Sequence, residues 1–363
     1  MISRLIRPLM VRLFPDVPPD HPAMGAMILN MSANALGLGN AATPFGIRAM
    51  RELDKLNPVK GTATNAMALF LAINTSSITL LPTGVIALRA AAGSMDPAGI
   101  LPTTLLATMG STTVAIVAAK LYCRFYKVED AADPAVCANH TEALKPPEKQ
   151  EKIENDLPEE YSTAGYPLWV SVLALCVLAS LIPLTVIYGK QISPWIIPSL
   201  MIGFLTYGVL RRVRIYEAFV DGAKEGFQVA VKIIPYLVAI LVAVGMFRAS
   251  GAMEAMVGVL GVWTGKVGLP AEALPMALLR PLSGSGAYGI LASVINDPAI
   301  GPDSYVGYLV STLQGSTETT FYVLAVYFGA VQVRRVRHTL AAALSADIAG
   351  VMFAVAACYF MFG

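Results

Sequence analysis

Apolar runs long enough to cross a bilayer recur along this chain, and several are cut near their middle by glycines, hydroxyl residues and amides. Continuous runs cover 98–122, 167–188, 193–210, 228–247 and 339–362, each close to the about 20 helical residues that a hydrocarbon core of roughly 30 Å demands. The interrupted runs break at Asn30–Thr43, Asn74–Ser77, Ser283–Gly289 and Gln314–Thr320. Such a chain has few ways to fold, because backbone groups freed at a break must be satisfied by protein or beside a water-filled cavity. Composition agrees: 56% of residues are hydrophobic, 14% are charged and mean hydropathy is +0.62, against about 25% charged in ordinary soluble domains. The predicted fold class is an all-α polytopic membrane protein. The opening "MISRLIRPLMVRLF" is basic, and its apolar run is too short for a cleavable signal peptide.

Residues 127–160 hold ten of the 24 acids, which marks 127–164 as a polar linker between two membrane halves, 1–126 and 165–363. The halves share a plan. Each has a broken helix (18–46 and 269–295), a second broken helix (67–88 and 308–329) and an uninterrupted span (98–122 and 339–362). Charge opposes them. Arg48, Arg51, Lys55 and Lys60 follow the first broken helix of half one, whereas 290–305 carries no base. After the second broken helix the bias reverses, with Arg334, Arg335, Arg337 and His338 in half two against Arg89 and Asp96 in half one. Arg4, Arg7 and Arg12 likewise face a counterpart with only Glu254 and Lys266. Positive residues favour the cytoplasmic side, so corresponding loops are expected on opposite sides, as two inverted repeats with re-entrant or broken helices. The linker is then cytoplasmic and the C-terminus outside. Half one starts abruptly at the counterpart of residue 252, so it is expected to lack a helix or more, with Met1 internal to a longer product.

Breaks expose half-helix ends whose free N–H and C=O groups suit small polar ligands or ions. The candidate binding residues are therefore Asn30, Ser32, Asn34, Asn40 and Thr43; Asn74, Thr75, Ser76 and Ser77; Arg280, Ser283 and Ser285; and Gln314, Ser316, Thr317, Glu318 and Thr319. Glu318 and Arg280 would each cost about 2.5–3.5 kcal/mol at a helix centre. They either form an ion pair that fixes packing or line a solute or proton path. The asparagines and serines either read a solute or act as interhelical glue. Asp347 and Lys232 read first as interhelical bonding or snorkelling. Gly37, Gly39, Gly284 and Gly286 are expected to permit the breaks, and the methionines and aromatics to pack or face lipid.

Other chemistries find little support. No basic tract interleaved with aromatics points to nucleic acid. Cys123, Cys137, Cys176 and Cys358 do not make a disulfide framework. The three histidines give no metal-ligand spacing, Cys137-x-x-His140 included, so no metal or cofactor is expected. "SGSGAYG" does not fit the nucleophile-elbow pattern, Lys266 lacks a phosphate-loop context, and no base is expected near Ser285. The chain is not expected to be an enzyme.

The stretches "NMSANALGLGNAATPFGIRAM" and "NTSSITLLPTGVIALRA" resemble the spore maturation protein A family; "RPLSGSGAYG" and "QGSTETTFYVLAVYFGAV" resemble the spore maturation protein B family. The chain thus looks like a fusion of the two, within the nucleoside-recognition or gate superfamily. The resemblance implies a core like that of concentrative nucleoside transporters and a multi-pass protein of the bacterial inner membrane. It also implies substrate binding at Asn30–Thr43, Asn74–Ser77, Ser283–Ser285 and Gln314–Thr319. The expected function is a transporter or permease-like protein for a small polar solute or ion. The alternative is a non-transporting scaffold in envelope or spore maturation. The lipid bilayer is the expected partner, and a homo-oligomer is compatible with the sequence.

Overall fold

A computed structural model describes residues 2–35, 37, 39–126, 201–203, 205–224 and 268–363, with scattered positions between 169 and 265. The linker 127–164, Cys137, His140 and Lys232 lie outside the described residues, as do nearly all positions of runs 167–188 and 228–247. Within 193–210, Met201–Leu210 forms a short apolar helix. The chain divides into two compact units. The first comprises Met1–Leu81, Thr108–Ser180 and Thr317–Gly350, and the second Pro82–Ala107, Leu181–Ser316 and Val351–Gly363. Each unit draws residues from both halves of the sequence.

In the first unit, α1 (Ile2–Leu13) leads to α2 (Pro22–Ala35), which opens with proline where a missing N–H costs nothing. Gly37, with φ +72°, turns the chain into α3 (Gly39–Lys55). The left-handed backbone there is open to glycine without a Cβ penalty. Thr64 caps α4 (Asn65–Thr75) by accepting the Met67 N–H at 3.1 Å. This helix stops because Thr75 and Ser76 both turn their hydroxyls back to the Ala72 carbonyl, at 3.0 and 2.8 Å.

α5 (Thr83–Ala91), in the second unit, follows Pro82, which disfavours helical geometry at the residue before it. α6 (Leu101–Tyr122) begins in the second unit and continues in the first. α7 (Leu274–Leu279) ends before Arg280-Pro281, and Ser283 caps α8 (Gly284–Ile295) by accepting the Gly286 N–H at 3.1 Å. α9 (Tyr305–Ser316) belongs to the second unit and α10 (Thr320–Ala330) to the first, and α11 (Thr339–Phe362) runs from the first into the second.

Among the described residues every regular element is a helix, and the chain adds one isolated parallel bridge, Thr62 to Arg335. Met24, Met27, Met50, Phe70, Leu71 and Phe328 fill the first core; Ile100, Met276, Leu291, Leu309 and Leu313 fill the second. α6 and α11 are long and apolar enough to cross a membrane, matching the expected runs 98–122 and 339–362. The architecture is that of a helical membrane protein.

All four expected breaks are redrawn. α2 runs through Ala35 and α3 starts at Gly39, so Asn30, Asn34 and Thr43 are helical, and α4 includes Asn74 and Thr75. Residues 284–289 are helical, so that interruption is Arg280–Ser283, set by Pro281 and the Ser283 cap rather than by glycine conformation. Gly286 is needed for space, since a Cβ there would stand 2.9 Å from Leu279. Likewise α9 persists through Ser316, leaving Thr317–Thr319 outside helix.

Loops of the two halves meet within each unit. In the first, the Gly61 carbonyl accepts the N–H groups of Arg334 and Arg335 at 2.9 and 3.0 Å, while Ala63 N–H donates to the Arg335 carbonyl at 3.0 Å. In the second, Arg89 joins Asp303 at 3.0 Å.

Candidate functional site

Three interruptions converge in the first unit through main-chain hydrogen bonds. Leu80 N–H donates to the Ala35 carbonyl at 2.8 Å, tying the segment after α4 to the end of α2. Glu318 N–H donates to the Thr75 carbonyl at 2.8 Å, tying the start of α10 to the end of α4. The acceptors are orphan carbonyls of helix C-termini, satisfied here by N–H groups of neighbouring breaks. Thr112, on α6, donates to the Ser76 carbonyl.

Beside this junction lies a buried network of amides. Asn30 Nδ2 donates to the Ala42 carbonyl at 2.8 Å and to Tyr327 Oη at 3.1 Å. Asn34 Nδ2 donates to Asn74 Oδ1 at 3.0 Å, which Tyr327 Oη approaches at 3.5 Å. Asn74 Nδ2 returns to the Phe70 carbonyl at 3.0 Å. Asn30 is 0% exposed, and its Oδ1 meets no protein donor. The Tyr327 ring stacks on Phe70 with centroids 6.1 Å apart and planes 11° apart. Gly46 makes room for it: a Cβ there would lie 2.0 Å from the phenol oxygen. Glu318 is half-buried and close enough for its charge to act on that phenol.

A second polar cluster of the first unit surrounds Asp347. Thr320 donates to Asp347 Oδ2 at 2.7 Å, and Ser111 donates to the neighbouring Ala346 carbonyl at 2.8 Å. Asp347 is buried and bonded between helices, as the sequence reading expected.

The structure therefore gathers Asn30, Asn34, Asn74, Thr75, Ser76 and Glu318 in one unit. Thr317 and Thr319 are buried at the same break, and Ser77 is buried after α4. Ser32 donates back to the Ile28 carbonyl within α2. Thr43 is half-buried on α3, and the side chain of Asn40 lies outside the described residues. Arg280, Ser283, Ser285, Gln314 and Ser316 belong to the second unit. Ser283 serves as a helix cap, Ser316 bonds back to the Leu313 carbonyl at 3.1 Å, and Gln314 is buried with no protein donor at Oε1.

Two residues correct the sequence reading. Tyr327 was grouped with packing and lipid-facing aromatics, but it is a polar member of the network. Arg89 was counted as a loop charge, but it is 0% exposed. Its Nε donates to the Pro97 carbonyl at 3.3 Å. Nη1 donates to the Pro302 carbonyl at 2.6 Å and Ser311 Oγ at 3.2 Å, and Nη2 to Asp303, Ser94 and the Asp96 carbonyl. All five guanidinium donors are used, and the cation lies 4.3 Å from the Tyr308 ring centroid.

Comparison with known proteins places these motifs. A family model described as Gate, nucleoside recognition, matches residues 1–92 and 230–334, more than half of the chain. The chain belongs to the Gate nucleoside-recognition family. This Gate protein is 45% identical to spore maturation protein B of Bacillus subtilis strain 168 over 167 residues, 46% of the chain and 93% of that relative. It is 52% identical to spore maturation protein A of the same organism over 117 residues, 32% of the chain. The chain spans 60% of the length of that second relative. No solved structure matches.

Proposed function

We propose that this Gate protein is a multi-pass inner-membrane transporter or permease-like protein for a small polar solute or ion. The observation that carries this reading is the meeting of three helix interruptions in one unit, beside a buried amide network that packing alone does not require. An inverted repeat accounts for the loop contacts: the two basic loops expected on one side, 48–60 and 334–338, abut through Gly61, and the two base-poor loops expected on the other join at Arg89 and Asp303. Alternating access would follow from one bundle rocking against the other. Glu318 would bind solute or coupling ion.

A scaffold in envelope or spore maturation is the second reading. Spore maturation stands in the names of both relatives, and the amide network is closed by Tyr327, as a dry structural centre would be. Thermal unfolding of purified protein in a screen of nucleosides, small anions, metals and pH separates the two. A shift for one compound, lost in Glu318→Gln, supports the transporter and identifies its solute class. Absence of any shift, with Glu318→Gln merely less stable, favours the scaffold.

A further inference from the structure

The amide network leaves one buried acceptor without a donor among the described residues. Both hydrogens of Asn30 Nδ2 are used, one on the Ala42 carbonyl and one on Tyr327 Oη. Turning the amide over would set its oxygen against the Ala42 carbonyl, so the orientation is fixed by its neighbours. Asn30 Oδ1 is left with no protein donor in a fully buried position, and an unsatisfied buried acceptor costs about 1–3 kcal/mol. The Tyr327 hydroxyl meanwhile does two things at once: it accepts from Asn30 and faces Asn74 Oδ1 as a donor. It reaches them only because Gly46 has no side chain. The ring belongs to α10, which starts at the Thr317–Thr319 break.

We propose that Tyr327 is the built-in occupant of this site, a movable side chain whose hydroxyl holds the place of an uncharged solute bearing a hydroxyl and a second hydrogen-bond donor. When Tyr327 withdraws, the solute hydroxyl takes its bonds to Asn30 and Asn74, and the second donor satisfies Asn30 Oδ1. The solute thereby binds better than the side chain it displaces, which is what exchange requires. The lining amides are neutral, and Glu318 disfavours anions. This inference rests on the solute-site reading above and adds the residue that opens the site and the class of ligand.

The test uses full-length protein in membrane vesicles, with the four native cysteines replaced and Ala42→Cys as reporter beside Asn30. Labelling by a small water-soluble thiosulfonate should be slow in this background and about tenfold or more faster when Tyr327→Ala is added. An unchanged rate in a Tyr327→Ala protein that unfolds cooperatively overturns the proposal. If Tyr327→Ala does not fold, Tyr327→Phe decides. It keeps the ring but not its hydrogen bonds, so labelling should rise about threefold, and a rate equal to the parent overturns the proposal. The ligand class is read separately, from thermal shifts of Tyr327→Ala with catechol, phenol and toluene. Shifts should fall in that order, and equal shifts overturn the requirement for a hydroxyl and second donor. A solute shift in wild type with an unreactive Ala42→Cys thiol throughout would reject Tyr327 as occupant while sparing the solute site; absence of solute shifts in wild type would reject the site itself.

Discussion

At the broken-helix junction of the first unit buried polarity is neutral and incomplete: three carboxamides and a phenol exchange hydrogen bonds, with Asn30 Oδ1 left over. Around Arg89 in the second it is charged and complete: this guanidinium, on α5, places every donor on a partner from the following loop, the loop before α9 or α9 itself. A saturated charge behaves as a rivet, because removing either partner strands the other in a poor solvent. A neutral network with a spare acceptor can change partners without that penalty. The same protein thus holds its loops with one chemistry and reserves the other for the junction of its broken helices.

The comparison breaks most visibly at Arg89. Arg89→Met should destabilise the protein by about 3–5 kcal/mol, as loss of one partner of a buried pair does, read as loss of monodisperse protein in detergent. Arg89→Lys should recover only part of this, since an ammonium cannot reproduce the planar fork. If Arg89→Met is as stable as wild type, the rivet description is wrong.

Next comes the space at Gly46. Gly46→Ala should cost about 1–3 kcal/mol through overpacking against Tyr327, measured by thermal unfolding. Most of that cost should vanish in a Tyr327→Ala background, because the two sites touch and their effects should not add. Additive effects would place the clash elsewhere.

Tyr327→Phe should be milder, about 1–2 kcal/mol, with only the hydroxyl partners stranded. That value should lie clearly below the Arg89→Met loss; equality would erase the distinction between exchangeable and fixed polarity.

The smallest effect concerns pH at the edge of the first unit. Burial, with the Arg337 charge adding to it, pushes the pKa of His338 down from 6.5 to about 4. The unfolded chain takes a proton near pH 6.5 that the folded chain refuses until about pH 4. Stability is therefore full above pH 6.5 and declines through this window as pH falls. His338→Gln should flatten that slope in thermal unfolding between pH 7 and pH 4.5; an unchanged slope would assign it to other groups.

Much of the junction could be read from sequence. Polar clusters inside apolar runs located the breaks, and Asn30, Asn34, Asn74 and Glu318 were visible because amides and acids are costly in a membrane. Tyr327 was not, since one tyrosine in "TFYVLAVYFGA" looks like any other until Asn30, nearly three hundred residues away, is seen to reach it. Gly46 was silent for a related reason: a missing side chain matters only once its neighbour is known. Arg89 was misjudged because a base ending an apolar helix reads alike whether it snorkels to water or is enclosed by carbonyls from distant sequence.

The joints at Ala35–Leu80 and Thr75–Glu318 are made by the main chain alone. The joints themselves can therefore survive a change of side chain at these four positions, so tolerance to such a change says nothing against the joint. Proline at position 80 or 318 is the substitution that drift should never be able to fix.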